Sequence, residues 1–143
     1  MRLPIVDMPG TRPVAPRVNR FTRTFWNSLA EGRLLTTRCR ACEHTTFPPK
    51  QHCPACGERR TLWFELDGSG VIYSQTRVHA APTQFAPAVP YCLAIIDLDE
   101  GPRLVTRLLG DTSGLRLGEK VQLVVTRYHD GCLFAATTNV QEL

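Results

Sequence analysis

The sequence predicts a mainly β chain with a short N-terminal helix, a four-cysteine ribbon and a small C-terminal antiparallel barrel. Three observations carry that reading. Cys39, Cys42, Cys53 and Cys56 form two Cys-x-x-Cys pairs within "CRACEHTTFPPKQHCPAC". The segment "RFTRTFWNSLAEGRLL" spaces Phe21, Phe25, Trp26 and Leu29 along one helical face. From Thr61 onward, apolar strands alternate with turn signals, as in an antiparallel β domain. At 143 residues and 43% apolar content, the chain can build one ordinary domain or two small ones.

Residues 1–20, "MRLPIVDMPGTRPVAPRVNR", are rich in proline and arginine and lack periodicity, so they read as an arm. They hold no apolar run of signal-peptide length. No stretch of the chain reaches the roughly 18 apolar residues that cross a bilayer. The expectation is a cytoplasmic protein, where thiols stay reduced and structural disulfides are uncommon. The helix follows within a second segment, residues 21–60. Thr22 or Thr24 can cap its start and Gly32 can end it. A helix this short is not stable alone and must pack on a neighbour.

The paired cysteines then choose between redox chemistry and metal. A redox Cys-x-x-Cys belongs at a helix start within a βαβ pattern, and neither pair is followed by helical periodicity. Two tight turns that each present two thiolates complete a tetrahedron around Zn²⁺ at about 2.3 Å. Gly57 follows the second pair and suits a knuckle that needs positive φ, whereas Glu43 holds the matching place in the first. The expectation is one structural Zn²⁺ per chain, with iron as the lesser alternative for four thiolates. His44 and His52 are nearby, but four thiolates already satisfy the ion, so both read as solvent-facing.

Residues 61–143 carry the strands. "LWFEL" leads through Gly68 and Gly70, where a bulge is expected, into "VIYSQTRVH". The proline-rich "AAPTQFAPAVP" enters "YCLAIIDL", and "DEG" turns into "RLVTRLL". "KVQLVVTRY", "HDG" and "CLFAATTN" complete five or six strands with no second helix. So small a sheet buries its apolar face by closing on itself, which predicts a five-stranded barrel of the OB type.

No nucleophile-and-base constellation is visible. "DGSG" opens a strand rather than a helix and is too short to cradle phosphate. Cys92 and Cys132 lie inside apolar strand patterns and read as buried, unactivated thiols. His79 stands at a strand end beside the proline-rich loop, at its edge or facing a substrate path. Phe47, Pro48 and Pro49 sit between the knuckles, suited to docking a partner or to packing on the helix. Phe85 and Tyr91 belong to a loop too apolar for a solvated linker, which favours partner or ligand contact.

Together, the "FW" helix, "EGRLLTTRCRACEHTTFPPKQHCPACG", "GSGVIYSQTRVH", "PYCLAIIDLDEGPRLVTRL" and "LRLGEKVQL" resemble the small thiolase-associated proteins. These join a rubredoxin-like zinc ribbon to a C-terminal OB-fold, and the resemblance spans roughly residues 21–138. It implies a non-catalytic accessory subunit of a thiolase-superfamily acyltransferase. The partner, thiolase-like or ketoacyl-synthase-like, would supply the catalytic groups, with a CoA thioester at the interface.

Charge supplies the rival reading. Residues 1–40 hold eight basic and two acidic groups, while the remainder is net negative by two. Zinc ribbons and OB barrels both bind nucleic acid in other proteins, so a single-strand-binding module has to be weighed. The barrel segment lacks the basic groove and row of stacking aromatics that such binding needs. A free-standing acyl-CoA-binding protein or enzyme is the third alternative.

Overall fold

The computed structural model describes residues 2–143. Its elements are β1 (Ile5–Asp7), α1 (Arg23–Ala30), β2 (Leu34–Cys39), β3 (Thr45–Thr46), β4 (Thr61–Leu66), β5 (Ser69–Val78), β6 (Tyr91–Leu98), β7 (Arg103–Leu109), β8 (Lys120–Tyr128) and β9 (Gly131–Thr137). Among the described residues no helix is long and apolar enough to cross a membrane.

The helix forms where its aromatic stripe requires it. Asn19 and Thr22 lock the entry reciprocally: the Thr22 amide donates to Asn19 Oδ1 at 2.8 Å, and the Asn19 amide donates to Thr22 Oγ1 at 3.0 Å. Phe25, Ser28 and Leu29 are buried, one turn apart on a single face. Gly32, at φ +81°, ends the helix, its amide donating to the Leu29 carbonyl at 2.9 Å. Burying each large apolar side chain contributes about 1.5–3 kcal/mol, and that contribution holds so short a helix in place.

Two sheets share the remaining chain. A three-stranded sheet in the order β3-β2-β4 carries the cysteine loops. The second sheet runs β8-β5-β6-β7-β9, and β9 pairs back onto β8 along seven residues from Gln122↔Thr137 to Tyr128↔Gly131. The five strands thus pair in a cycle, joined most narrowly between β7 and β9, at Leu108↔Ala136 and Leu109↔Thr137, and between β5 and β8, at Ser69 to Val71. β6 alternates strictly, with Cys92, Ala94, Ile96 and Leu98 inward. Leu104 and Leu108 answer from β7, and Leu123 and Val125 from β8. One continuous core joins these residues to Phe25, Leu29 and Leu34 beside the ribbon.

Three local expectations are corrected. The arm is partly folded: β1 pairs in parallel with β8 at Ile5↔Val125 through Asp7↔Arg127, and Leu3 is buried in the core. The bulge falls between Ile72 and Ser74 rather than at the glycines, and it turns Tyr73 out to 51% exposure. Gly70 is instead a close-approach residue, since a Cβ there would lie 2.5 Å from the Asp97 carbonyl oxygen. "LWFEL" becomes β4 and pairs with β2 in the ribbon sheet, so five strands remain for the barrel. The strand β2 itself, "LLTTRC", carries no alternation because nearly all of it is buried.

Candidate metal centre and barrel cleft

The four cysteines meet. Their Sγ atoms all lie within 4.8 Å of one another, with Cys39–Cys56 at 3.5 Å and Cys42–Cys53 at 3.6 Å. A tetrahedron with metal–sulfur bonds of about 2.3 Å has edges of about 3.8 Å, so the cluster is already near the size of a Zn²⁺ cage. The donor set fits the ion.

The two knuckles repeat the same pair of backbone hydrogen bonds. The Cys39 amide donates to the His44 carbonyl and the Glu43 amide to the Cys39 carbonyl, at 2.9 and 3.2 Å. In the second loop the Cys53 amide donates to the Glu58 carbonyl and the Gly57 amide to the Cys53 carbonyl, both at 2.9 Å. Gly57 holds φ +80° and Glu43 holds φ +63°, the one non-glycine with positive φ among the described residues. Amides of Ala41 and Cys42 point at Cys39 Sγ from 3.3 and 3.4 Å, and that of Ala55 points at Cys53 Sγ from 3.4 Å.

These donors, the Cys42 amide foremost, bring the Cys39 thiol down to about 6. The Glu58 amide acts in the same sense on Cys56, yet the neighbouring sulfurs of Cys39 and Cys42 outweigh it and push that thiol up to about 12. One sulfur is eased toward ionisation and its neighbour is held back by it. His44 and His52 are both exposed beside this centre.

Phe47 turns inward. Its ring meets Phe25 of α1 at 6.0 Å and Phe134 of β9 at 5.8 Å between centroids. Phe47 and Pro49 are half-buried and Pro48 exposed, so Pro48 is the outermost residue of the "FPP" tip. Phe21 stacks on Trp63 of β4 at 5.1 Å. The helix stripe is therefore spent mainly inside the chain.

A second feature lies on the barrel. A cleft of about 360 Å³ opens between the arm, the proline-rich loop and four strands. Met8 and Pro13 come from the arm, Phe85 from the loop, Tyr91 and Leu93 from β6, and Arg107 and Leu109 from β7. Tyr128 of β8 and Leu133 and Phe134 of β9 complete the wall. Phe85 and Tyr91 stand 6.3 Å apart, so the structure brings these two sequence candidates together. His79 is exposed beyond the end of β5 and does not line the cleft.

Sequence reasoning missed Arg107. Its guanidinium carbon lies 5.5 Å from the Tyr91 ring centroid, and its Nε is buried with no hydrogen-bond partner among the described residues. Cys92 and Cys132 are buried inside the barrel, and desolvation pushes both thiols up.

Comparison with known proteins agrees with this architecture. Residues 26–61 match the family described as "ChsH2, rubredoxin-like zinc ribbon domain", and residues 63–126 match "ChsH2, C-terminal OB-fold domain". A "DUF35 domain-containing scaffold protein" of Methanocaldococcus jannaschii is 36% identical, over 66% of this chain and 68% of its own length. A "Probable enoyl-CoA hydratase alpha subunit" of Thermomonospora curvata is 37% identical over 66% of this chain, which spans only 30% of that longer protein. A solved structure described as "Ltp2-ChsH2(DUF35) aldolase" superposes with a TM-score of 0.74 at 31% identity, covering 86% of this chain and 98% of that one. With a four-cysteine ribbon, a five-strand cycle and these matches on both halves, the chain belongs to the DUF35 family of ChsH2-type zinc-ribbon and OB-fold proteins.

Proposed function

We propose that this chain is a non-catalytic accessory subunit of a thiolase-superfamily enzyme acting on acyl-CoA or a similar acyl donor. The observation that carries the reading is its kinship with proteins described as scaffolds and as subunits of larger enzymes, one of them solved within an aldolase assembly. The partner, thiolase-like or ketoacyl-synthase-like, supplies the nucleophile and base. The reaction is acyl transfer, or the carbon–carbon and hydration chemistry that the relatives' names carry.

The cysteine cage holds one Zn²⁺. Four thiolates close the coordination sphere, so the ion is structural and leaves no position for water or substrate. It fixes the loop that carries Pro48 and Pro49, and this loop offers the ribbon's docking face. Phe47 supports that face from beneath. A preformed surface lowers the ordering cost of association. The barrel, through the Phe85–Tyr91 loop, faces the acyl-donor path, where a CoA thioester sits at the interface.

The test is retention by the tagged, metal-loaded chain from its native host, with captured subunits identified by mass spectrometry. A thiolase-superfamily protein in fixed stoichiometry is the expected result. Salt-sensitive retention of arbitrary single-stranded nucleic acid without such a protein would favour the nucleic-acid reading. Turnover of an acyl-CoA by the purified chain alone would make it an enzyme in its own right.

A further inference from the structure

We infer that the second half of the arm and the first turn of α1, residues 13–23, form a docking strip for an acidic face of a partner protein. That face offers carboxylates to Arg17, Arg20 and Arg23 and apolar hollows to Val14 and Val18. The strip is held at both ends and open between them. The Arg12 amide donates to Asp130 Oδ1 at 2.8 Å and its guanidinium to the Asp130 carbonyl at 2.9 Å. At the far end Asn19 and Thr22 close their reciprocal pair of hydrogen bonds. Between these anchors residues 13–18 make no hydrogen bond among the described residues. Pro13 and Pro16 are half-buried, and their rings fix the backbone that presents the exposed Val14, Ala15, Arg17 and Val18. An extended segment ordered in advance loses little freedom on association.

Charge indicates the sign of the partner. From Met8 to Ala30 the chain holds four arginines and no acidic residue. Arg12 is committed to Asp130. The side chains of Arg17, Arg20 and Arg23 are exposed, with no ion pair, hydrogen bond or ring contact among the described residues. α1 does not favour them either, because the positive end of a helix dipole repels cations and its first turn holds no acid. An anionic surface from outside offsets that repulsion.

The valines decide which anion. Val14 and Val18 remain 49% and 51% exposed among the arginines. A phosphate backbone gives a branched apolar side chain nothing to pack on. The aromatics of this stretch are also engaged within the chain, Phe21 stacked on Trp63 and Phe25 buried, so no ring is free to stack a base. A protein face with carboxylates around apolar hollows satisfies both halves of the strip.

The inference rests on the accessory-subunit reading for the identity of that protein, not for the chemistry of its face. The zinc-loaded full chain and the subunit that it captures in fixed stoichiometry from its native host are purified and recombined for titration. Arg17→Gln, Arg20→Gln and Arg23→Gln together should weaken association about tenfold and remove most of its salt dependence. Lysine at the same three positions should retain most of the affinity. Val14→Ser with Val18→Ser should weaken it about tenfold at any ionic strength. Arg17→Lys, treated with carbodiimide in the complex, should couple to an Asp or Glu of the subunit, located by mass spectrometry. All these positions are exposed, so unfolding midpoints should not move.

Wild-type affinity in the glutamine triple or the serine pair overturns the inference, as does a position 17 that couples to no carboxylate of the subunit. The accessory reading then stands if the subunit is a thiolase-superfamily protein. If the subunit is of another kind and binding falls with both sets of changes, the accessory reading fails and the strip stands. No captured subunit overturns both. Retention of single-stranded DNA that is lost with the arginines but indifferent to the valines makes the strip a nucleic-acid surface and overturns the inference as well.

Discussion

Replacing Glu43 by glycine should tighten metal binding. Glu43 holds φ at +63° in a knuckle whose twin places Gly57 at +80° with the same pair of backbone hydrogen bonds. An L-residue in that region costs about 1–2 kcal/mol. Glycine returns about 0.5–1 kcal/mol through its greater freedom in the unfolded chain. The net gain is about 0.5–1 kcal/mol, and because metal binding and ribbon folding are coupled it should read as a two- to fivefold tighter complex. The reciprocal change isolates the backbone. A Cβ added at Gly57 meets nothing within 4 Å, so Gly57→Ala has no clash to confuse it. By the same balance that variant should weaken binding by about 0.5–1 kcal/mol, roughly two- to fivefold.

Competition against a chelator of known zinc affinity measures both shifts. Glu43→Gln is the necessary control, because removing a carboxylate beside an anionic tetrathiolate also helps the site without relieving the backbone. If Glu43→Gln gains as much as Glu43→Gly, charge rather than conformation sets the effect. If Glu43→Gly binds metal no better than wild type, the strain argument fails.

Three further perturbations address the cage and the arm. Cys39→Ser or Cys56→Ser should release about one Zn²⁺ per chain and unfold the ribbon, since loop and metal fold together; elemental analysis and amide exchange across residues 39–60 check this. Leu3→Ala empties a buried position and should lower stability by about 2–5 kcal/mol in thermal or denaturant unfolding; a loss near zero would return residues 1–20 to the status of a free arm. Asp130 is held below the usual carboxylate range, first by the Arg12 amide. A depressed folded value means that its grip on the arm is present at neutral pH and lost as pH falls through that value, below about 3.9. Asp130→Asn should reproduce at neutral pH the loss of amide protection at Arg12.

The parts legible in the sequence were those whose signal is local. Two Cys-x-x-Cys pairs announce their chemistry by spacing, and Phe25 and Leu29 announce a helix face by period. "YCLAIIDL" alternates because β6 has one inner and one outer side, and the structure keeps that alternation residue by residue. Partners distant in sequence leave no such trace. β1 is three residues between prolines, and it becomes a strand only because β8, some 120 residues later, offers an edge. "LWFEL" looks equally suited to barrel or ribbon, and only pairing with Leu34–Cys39 decides it. Arg107 reads as an ordinary outward residue of "RLVTRLL". Its place in the cleft wall comes from what the arm, the proline-rich loop and β9 bring around it, which no window of β7 contains.

The metal and the cleft lie in different sheets, yet one set of rings connects them. The cysteine loop that holds Phe47 is pinned at Lys50, whose amide donates to Thr37 Oγ1 at 2.9 Å, and by a hydrogen bond from the Thr36 hydroxyl to the Thr46 carbonyl. Phe47 then packs edge-on against both Phe25 and Phe134. Phe134 is itself a wall of the cleft. Edge-to-face pairs add about 0.5–1.5 kcal/mol each beyond the area they bury, so the cluster favours one arrangement of its rings. A ribbon without metal has almost no core of its own to keep Phe47 in that arrangement. Removing Phe47 would leave Phe25 and Phe134 facing space that it now fills, and close-packed interiors do not leave such gaps unrelaxed. A closed tetrathiolate cage would perform no chemistry of its own, but Phe47, on the loop that it closes, packs against Phe134, which lines the cleft that a ligand or partner would meet.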